Sequence, residues 1–182
     1  MAAKAREAKL DLIKKHIKVF PDFPSKGVLF RDICPLLKDP LALTAVTDLL
    51  EEHVRLTHPE VDLIVGLDAR GFLFGPLLAQ RLGVGFVVIR KKGKLPGPTV
   101  SVSYTLEYGQ AEVEVQEDAV YPGQKVLLID DLLATGGTLY AACELMKKKQ
   151  ADLLGCMVVI ELKDLRGFER VKPISVFSLV QY

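Results

Sequence analysis

The chain lacks a strong excess of charge, a long apolar run and a recognisable targeting segment. Its 182 residues carry 24 Lys and Arg against 23 Asp and Glu, a formal net charge of +1, so the broad basic surface of a nucleic-acid-binding protein is not expected. No stretch approaches the ~20 apolar residues of a membrane helix. The N-terminal residues match neither a secretory signal nor an acid-poor transit peptide. These absences favour small anionic ligands, with no nucleic acid and no membrane as partner.

Cysteines are few as well. Cys34, Cys143 and Cys156 are odd in number, widely spaced and without a Cys-x-x-Cys pair. Such a set predicts neither a disulfide framework nor a zinc site, and it is typical of reduced thiols in a cytoplasmic protein. A chain of this length that is 49% hydrophobic predicts one domain, residues 1–182.

Short apolar runs alternate with segments of helical periodicity through most of the chain. Strands are predicted at residues 63–67, 86–90, 126–129, 155–162 and 175–179, and helices at residues 72–82 and 137–149. This alternation predicts an α/β fold with a doubly wound, mostly parallel sheet. Ligands of such sheets bind beyond the carboxyl ends of the strands.

Two further segments flank this pattern. Apolar residues spaced three and four apart from Leu10 to Phe20 predict an N-terminal helix that ends at Pro21, and Asp39 is placed to cap a second helix. Residues 100–106 and 111–115 alternate in polarity across Gly109, after a segment rich in Gly and Pro. Residues 91–117 are therefore predicted to form a flexible antiparallel hairpin that is a candidate lid, with an ordinary edge hairpin as the alternative.

Residues 126–138, Val-Leu-Leu-Ile-Asp-Asp-Leu-Leu-Ala-Thr-Gly-Gly-Thr, are the most informative stretch. They place a loop of small residues at a helix N-terminus, where unpaired N–H groups and the helix dipole favour an anion. Asp130 and Asp131 would repel a phosphate unless they accept hydrogen bonds from sugar hydroxyls or share a hard cation such as magnesium. The motif therefore indicates a phosphorylated sugar. Phosphate-accepting receiver domains and a simple turn remain alternatives, whereas a nucleotide-triphosphate loop fits worse because no Lys follows Gly137.

This stretch closely resembles the signature that binds phosphoribosyl pyrophosphate (PRPP) in type I phosphoribosyltransferases. Four more segments match that family in order: residues 20–24 (FPDFP), 27–32 (GVLFRD), 66–72 (GLDARGF) and 93–99 (GKLPGPT). The match runs from about residue 20 to 182 and is to the members that use adenine. It implies transfer of phosphoribose from PRPP to adenine, giving AMP and pyrophosphate, with Mg²⁺ and in a homodimer. A non-catalytic PRPP-binding regulator and a transferase for another purine are the alternatives.

The resemblance also assigns roles to individual residues. It implies that Asp130 and Asp131 hold the ribose hydroxyls, that Arg70 and Lys94 meet the pyrophosphate, and that Glu107, near the hairpin tip, handles the purine proton. On sequence alone Glu107 could equally be a solvent-exposed hairpin residue. Further substrate contacts are assigned to Asp68, Ala69 and Lys91 at the pyrophosphate, to Ala134, Thr135, Gly136, Gly137 and Thr138 at the 5′-phosphate, to Tyr108 beside Glu107, and to Leu29, Phe30, Arg31, Leu132, Ala134 and Leu162 at adenine. Residues 1–36 would form the N-terminal helix and a small hood over the base. No direct metal ligand is assigned, because magnesium is held mainly through PRPP and through water to the two aspartates. The Asp68–Ala69 peptide bond is expected to be cis, as in relatives.

Overall fold

The computed structural model describes residues 2–105 and 110–182 and divides into two compact units, Met1–Glu52 and His53–Tyr182. The expectation of one domain over residues 1–182 stays a prediction. No helix in the described ranges is both long and apolar enough to cross a membrane.

The first unit combines helices with a small hairpin. Its elements are α1 (Ala2–Lys15), β1 (Lys18–Pro21), β2 (Leu29–Asp32), α2 (Cys34–Lys38) and the first part of α3 (Pro40–Thr57). Ion pairs from Arg6 to Glu52 and from Lys9 to Asp48 join α1 to α3. Asp39 caps α3 as predicted, since its carboxylate accepts the backbone N–H groups of two first-turn residues.

The predicted N-terminal helix is wrong at its C-terminal end. Helix α1 stops at Lys15, and Phe20 lies in β1, opposite Phe30 of β2 in an antiparallel pair. The helical spacing correctly predicts two buried residues, Ile13 and Ile17. After Ile17 the hydrogen bonds to β2 replace those of a helix, which local periodicity does not reveal.

The second unit contains a seven-stranded sheet in the order β5-β6-β4-β3-β7-β8-β9. Its strands are β3 (Leu63–Leu67), β4 (Gly85–Lys91), β5 (Thr99–Thr105), β6 (Gln110–Gln116), β7 (Lys125–Leu133), β8 (Asp152–Glu161) and β9 (Val176–Gln181), and its remaining helices are α4 (Gly71–Leu82), α5 (Gly137–Lys148) and α6 (Gly167–Arg170), the last preceded by a 3₁₀ turn at Lys163–Leu165. Strands β4, β3, β7, β8 and β9 are parallel. The predicted α/β class with a mostly parallel sheet is confirmed.

Apolar strands explain why this sheet is the core of the unit. Every residue of β3 is buried, and so are Val126 to Ile129 of β7, as expected for strands covered on both faces. Strand β7 runs four residues past its predicted end at Ile129, because Leu132 and Leu133 pair with β8. The two aspartates therefore belong to the strand itself.

The predicted hairpin is present as β5 and β6, which pair antiparallel. Its tip, residues 106–109, lies outside the described residues. Strand β6 also pairs with the end of β4, through Arg90 opposite Glu114 and Lys91 opposite Val113. The base of the hairpin is thus an extension of the main sheet, and its role as a lid stays a prediction.

Candidate active site

A cavity of about 370 Å³ lies at the carboxyl ends of β3, β4 and β7. Residues from three segments line it: Asp68, Ala69, Arg70, Lys91 and residues 130–139. This is the edge at which a parallel sheet gathers its ligands. The structure therefore brings together most of the residues that the sequence assigned to PRPP.

The two aspartates at the end of β7 have different surroundings. The Asp131 side chain is 8% exposed and its Oδ2 accepts a hydrogen bond from Arg70 Nε. Asp130 Oδ1 accepts the backbone N–H of Asp131 at 2.8 Å. Burial, followed by the neighbouring Asp131 carboxylate, raises the pKa of Asp130 well above its ordinary value. A hydroxyl donor or a cation that approached Asp130 would relieve this penalty.

The loop that leads into α5 has the geometry of an anion cradle. Gly136 has a φ of +81°, in the left-handed region, and precedes the first helical residue Gly137. A Cβ at Gly136 would also collide with the backbone of Gly167. The first N–H groups of α5 have no acceptor within the helix, and the Thr135 and Thr138 side chains add hydroxyl donors at the cavity wall. The loop therefore offers several donors to one anion.

The loop after β3 faces the same cavity. The Asp68–Ala69 peptide bond is cis, as expected. Asp68 Oδ2 accepts a hydrogen bond from Arg90 Nε at 3.1 Å. Helix α4 starts directly against β7, because a Cβ on Gly71 would lie 2.5 Å from Ile129 O. This close approach brings the loop after β3 to the end of β7.

Not all predicted site residues line the cavity. Lys91 does, whereas Lys94 is exposed on the loop between β4 and β5. Leu162 is half-buried, and its N–H donates to Leu133 O at 2.9 Å. Glu107 and Tyr108 lie outside the described residues.

The residues assigned to adenine in the first unit lie together on β2. Leu29 is exposed, whereas Phe30 and Arg31 are half-buried. The ring of Phe30 meets that of Phe23 edge-to-face, with centroids 5.1 Å apart. Phe30 is therefore not a fully buried core residue.

Two charged residues beside the cavity were not assigned to the site from sequence. Arg90 bridges the loop after β3 to the loop after β4, since its Nη1 also donates to Lys94 O at 3.3 Å. Glu114 is buried and accepts the N–H group of Lys94. In the sequence Arg90 belongs to a basic run with Lys91, Lys92 and Lys94, and such a run can equally be a solvated face. Apolar and polar residues alternate along β6, and Glu114 falls among the polar ones. The sequence therefore gives no indication that it is buried.

Comparison with known proteins shows the family of this chain. Residues 35–182 match the phosphoribosyl transferase domain family. Over 177 residues, 97% of this chain and 98% of the relative, the chain is 59% identical to adenine phosphoribosyltransferase of Mus musculus and 56% identical to that of Homo sapiens. The crystal structure of adenine phosphoribosyltransferase from Saccharomyces cerevisiae, complexed with an imino-altritol bisphosphate and adenine, superposes with a TM-score of 0.92 at 41% identity, covering 95% of this chain and 99% of that one. The chain belongs to the phosphoribosyltransferase family and, within it, to the adenine phosphoribosyltransferases.

Proposed function

We propose that this protein transfers the phosphoribosyl group of PRPP to adenine, forming AMP and pyrophosphate in purine salvage. One observation carries the assignment to the cavity: a single wall, residues 130–138, presents two carboxylates and then a helix N-terminus. Carboxylates accept hydrogen bonds from hydroxyls, and helix N-termini bind phosphate. A ribose 5-phosphate offers both partners in one molecule.

The ribose and its 5′-phosphate occupy this wall. Asp130 and Asp131 accept hydrogen bonds from the ribose hydroxyls. The backbone amides of Ala134 to Thr138, with the hydroxyls of Thr135 and Thr138, donate to the phosphate. Binding this half of PRPP fixes the anomeric carbon, which lowers the entropic cost of the reaction.

The pyrophosphate occupies the side of the cavity nearer to β3 and β4. Its ligands are the backbone at Asp68 and Ala69 and the cations of Arg70, Lys91 and Lys94. Negative charge grows on the pyrophosphate as it leaves. Positive groups at this position therefore stabilise the transition state more than the bound substrate.

Adenine is assigned to Leu29, Phe30, Arg31, Leu132, Ala134 and Leu162. Phe30 stacks on the ring, and the backbone of Leu29 and Arg31 reads its edge. An edge read by a backbone acceptor and donor selects the exocyclic amine of adenine, because hypoxanthine would leave buried polar groups unpaired.

The reaction breaks the bond from the anomeric carbon to the pyrophosphate oxygen and forms a bond to the purine nitrogen. It passes through an oxocarbenium-like state with inversion at that carbon. The purine proton passes to Glu107, which returns it in the reverse direction. The hairpin excludes water, which would otherwise hydrolyse the activated sugar, and Tyr108 is assigned to substrate contact beside Glu107.

The acidic pair also fits magnesium. No cluster of three or more His, Cys, Asp or Glu side chains that could hold a metal occurs within residues 2–105 and 110–182. Magnesium is commonly held by one or two carboxylates together with substrate phosphates. We assign it to the oxygens of PRPP, with Asp130 and Asp131 contacting it through water, where it would neutralise pyrophosphate charge.

Assembly and location follow from family resemblance. We propose a homodimer, which light scattering would test. We also propose a cytoplasmic location, consistent with three cysteines that are thiols in the described structure. Cell fractionation would test this location.

The decisive experiment is an assay of pyrophosphate release with PRPP and magnesium, offering adenine, hypoxanthine, guanine and orotate separately. We expect release and AMP formation with adenine. Turnover with another base instead would reassign the substrate, and PRPP binding without turnover would indicate a regulator. The variant Asp130→Asn with Asp131→Asn should abolish nucleotide formation while leaving the circular dichroism spectrum unchanged. Retained turnover in that variant would overturn the role of the pair.

A further inference from the structure

Glu114 is a buried carboxylate beside the site that the proposed mechanism does not use. It lies on β6 between Val113 and Val115 and is 2% exposed. A carboxylate in such a position is costly unless charged and polar groups surround it. The identity of its partners therefore indicates why the position carries a carboxylate.

The partners of Glu114 come from the loop between β4 and β5 and from the first residue of β5. Its Oε1 accepts the N–H groups of Lys94 and Leu95, each at 3.0 Å, and its Oε2 accepts the hydroxyl of Thr99 at 3.0 Å. Lys92 Nζ lies 3.7 Å from Oε2. Burial opposes ionisation, but the hydrogen bonds from Leu95, Thr99 and Lys94 outweigh it and lower the pKa of Glu114.

Hydrogen bonds hold both the N–H and the C=O of Lys94. The N–H of Lys94 is shared between Glu114 and Lys91 O, and its C=O accepts Arg90 Nη1 at 3.3 Å. Arg90 also donates from Nε to Asp68 Oδ2. A continuous chain of hydrogen bonds thus runs from Glu114 through Lys94 and Arg90 to the cavity wall at Asp68.

A second buried glutamate provides a contrast. Glu161, at the end of β8, accepts hydrogen bonds from Ser178 and Gln181 of β9. Those partners belong to the neighbouring strand, and they carry no cation toward the cavity. Glu114 instead holds the backbone of the loop that carries Lys94, so it does more than join two strands.

We propose that Glu114 is a positioning residue for the pyrophosphate end of the site, which it serves by fixing the backbone of Lys94 and the preceding turn. The proposal rests on the proposed function, because Lys94 is assigned there to pyrophosphate. Glu114 itself does not touch substrate. It holds the loop backbone in one conformation before the ligand binds, so the entropic cost of ordering the loop is smaller when pyrophosphate or PRPP binds.

The test is the Glu114→Gln variant, with Glu112→Gln as the matched control. Glu112 lies on the same strand and also faces Lys92, at 3.8 Å, but it is partly exposed and its side chain accepts from Ser101 and not from the loop backbone. We expect Glu114→Gln to raise the KM for PRPP and the dissociation constant for pyrophosphate roughly ten- to a hundredfold, the loss expected for one or two charge-assisted hydrogen bonds. The KM for adenine should stay within about twofold, and Glu112→Gln should bind pyrophosphate like the unchanged protein.

Hydrogen exchange supplies a readout that does not depend on turnover. The amides of Lys94 and Leu95 should exchange faster in Glu114→Gln while those of β3 and β7 remain protected. Equal losses for adenine and pyrophosphate, or pyrophosphate binding equal to that of Glu112→Gln, would overturn the proposal. If Glu114→Gln does not fold, Thr99→Val decides in its place, because it removes one donor and should weaken pyrophosphate binding severalfold; no change would count against a positioning role. Calorimetry measures pyrophosphate binding without turnover. The positioning role of Glu114 can therefore be judged even if the unchanged protein does not form AMP.

Discussion

Replacing Gly167 by alanine should displace the anion cradle, the loop that leads into α5. Gly167, the first residue of α6, is buried against the loop that precedes α5. An added Cβ would lie 2.9 Å from Gly136 N, which is 0.5 Å short of ordinary van der Waals contact at 3.4 Å, and it would lie closer still to Ala134 O. Both neighbours are backbone atoms, so they cannot escape by rotating a side chain.

The size of the effect follows from this displacement. The cradle must move by at least half an ångström, and misplacement of a binding group by about 1 Å can cost roughly a hundredfold in rate. We expect kcat/KM for PRPP to fall roughly ten- to a hundredfold. Overpacking should also lower the free energy of unfolding by about 1–3 kcal/mol, which lowers the melting temperature by roughly 2–12 °C for a chain of this size.

The assay is steady-state kinetics at 25 °C, below the melting transition of the variant, beside a thermal melt. Gly85→Ala is the matched control, because its Cβ would meet the end of the flexible Leu63 side chain at 3.1 Å. That variant should keep its PRPP kinetics. If Gly167→Ala also kept kcat/KM for PRPP within twofold of the control, the reasoning from backbone contact would be refuted.

Three further predictions concern charge, thiols and the hairpin. Because the pKa of Glu114 is lowered in the folded protein, its contribution to stability is complete above about pH 4.5 and is lost as pH falls through the lower folded value. The free energies of unfolding of Glu114→Gln and the unchanged protein, measured by denaturant titration, should therefore differ at pH 7 and converge in acid. A difference that stays constant with pH would contradict this. Cys34 is exposed, whereas the hydrogen bond between Cys156 and Cys143, with the sulfurs 3.7 Å apart, and burial raise the pKa of Cys156. A thiol reagent should therefore titrate one cysteine rapidly in the native protein, and two or more rapid thiols would count against the packing. Glu107→Gln should lower the chemical rate, measured by rapid quench, more than it lowers PRPP affinity, whereas equal losses would argue against proton handling.

The parts of the fold that sequence predicted well are those in which burial and local pattern agree. Strand β3 matches its predicted bounds of 63–67, and α5 differs from its prediction by one residue at its end. In both, a continuous apolar run or a helical apolar face coincides with the element. The loop of small residues was predictable for a similar reason, since it lies at the N-terminus of α5, where the apolar face of that helix begins.

The failures occur where a partner distant in sequence decides the structure. Phe20 fits a helical spacing, but pairing with β2 places it in a strand. Asp130 and Asp131 were expected just after β7, yet pairing with β8 extends that strand through Leu133. Glu114 alternates with Val113 and Val115 along β6, a pattern typical of an exposed residue. It is buried because the loop between β4 and β5 donates hydrogen bonds to it. Such contacts carry no local signal.

The extension of β7 gives the acidic pair a physical meaning that the motif alone does not. Successive side chains of a strand point to opposite faces, so neighbouring aspartates in β7 meet different surroundings. Asp131 is engaged by Arg70 and fixes that cation in the cavity wall. Asp130 bears the cost of burial beside a second carboxylate, which raises its pKa, so it gains more from a hydroxyl donor or a magnesium-bound water. In the proposed site both residues accept hydrogen bonds from the ribose hydroxyls. Asp131 has the added task of holding Arg70, which is assigned to pyrophosphate, in place.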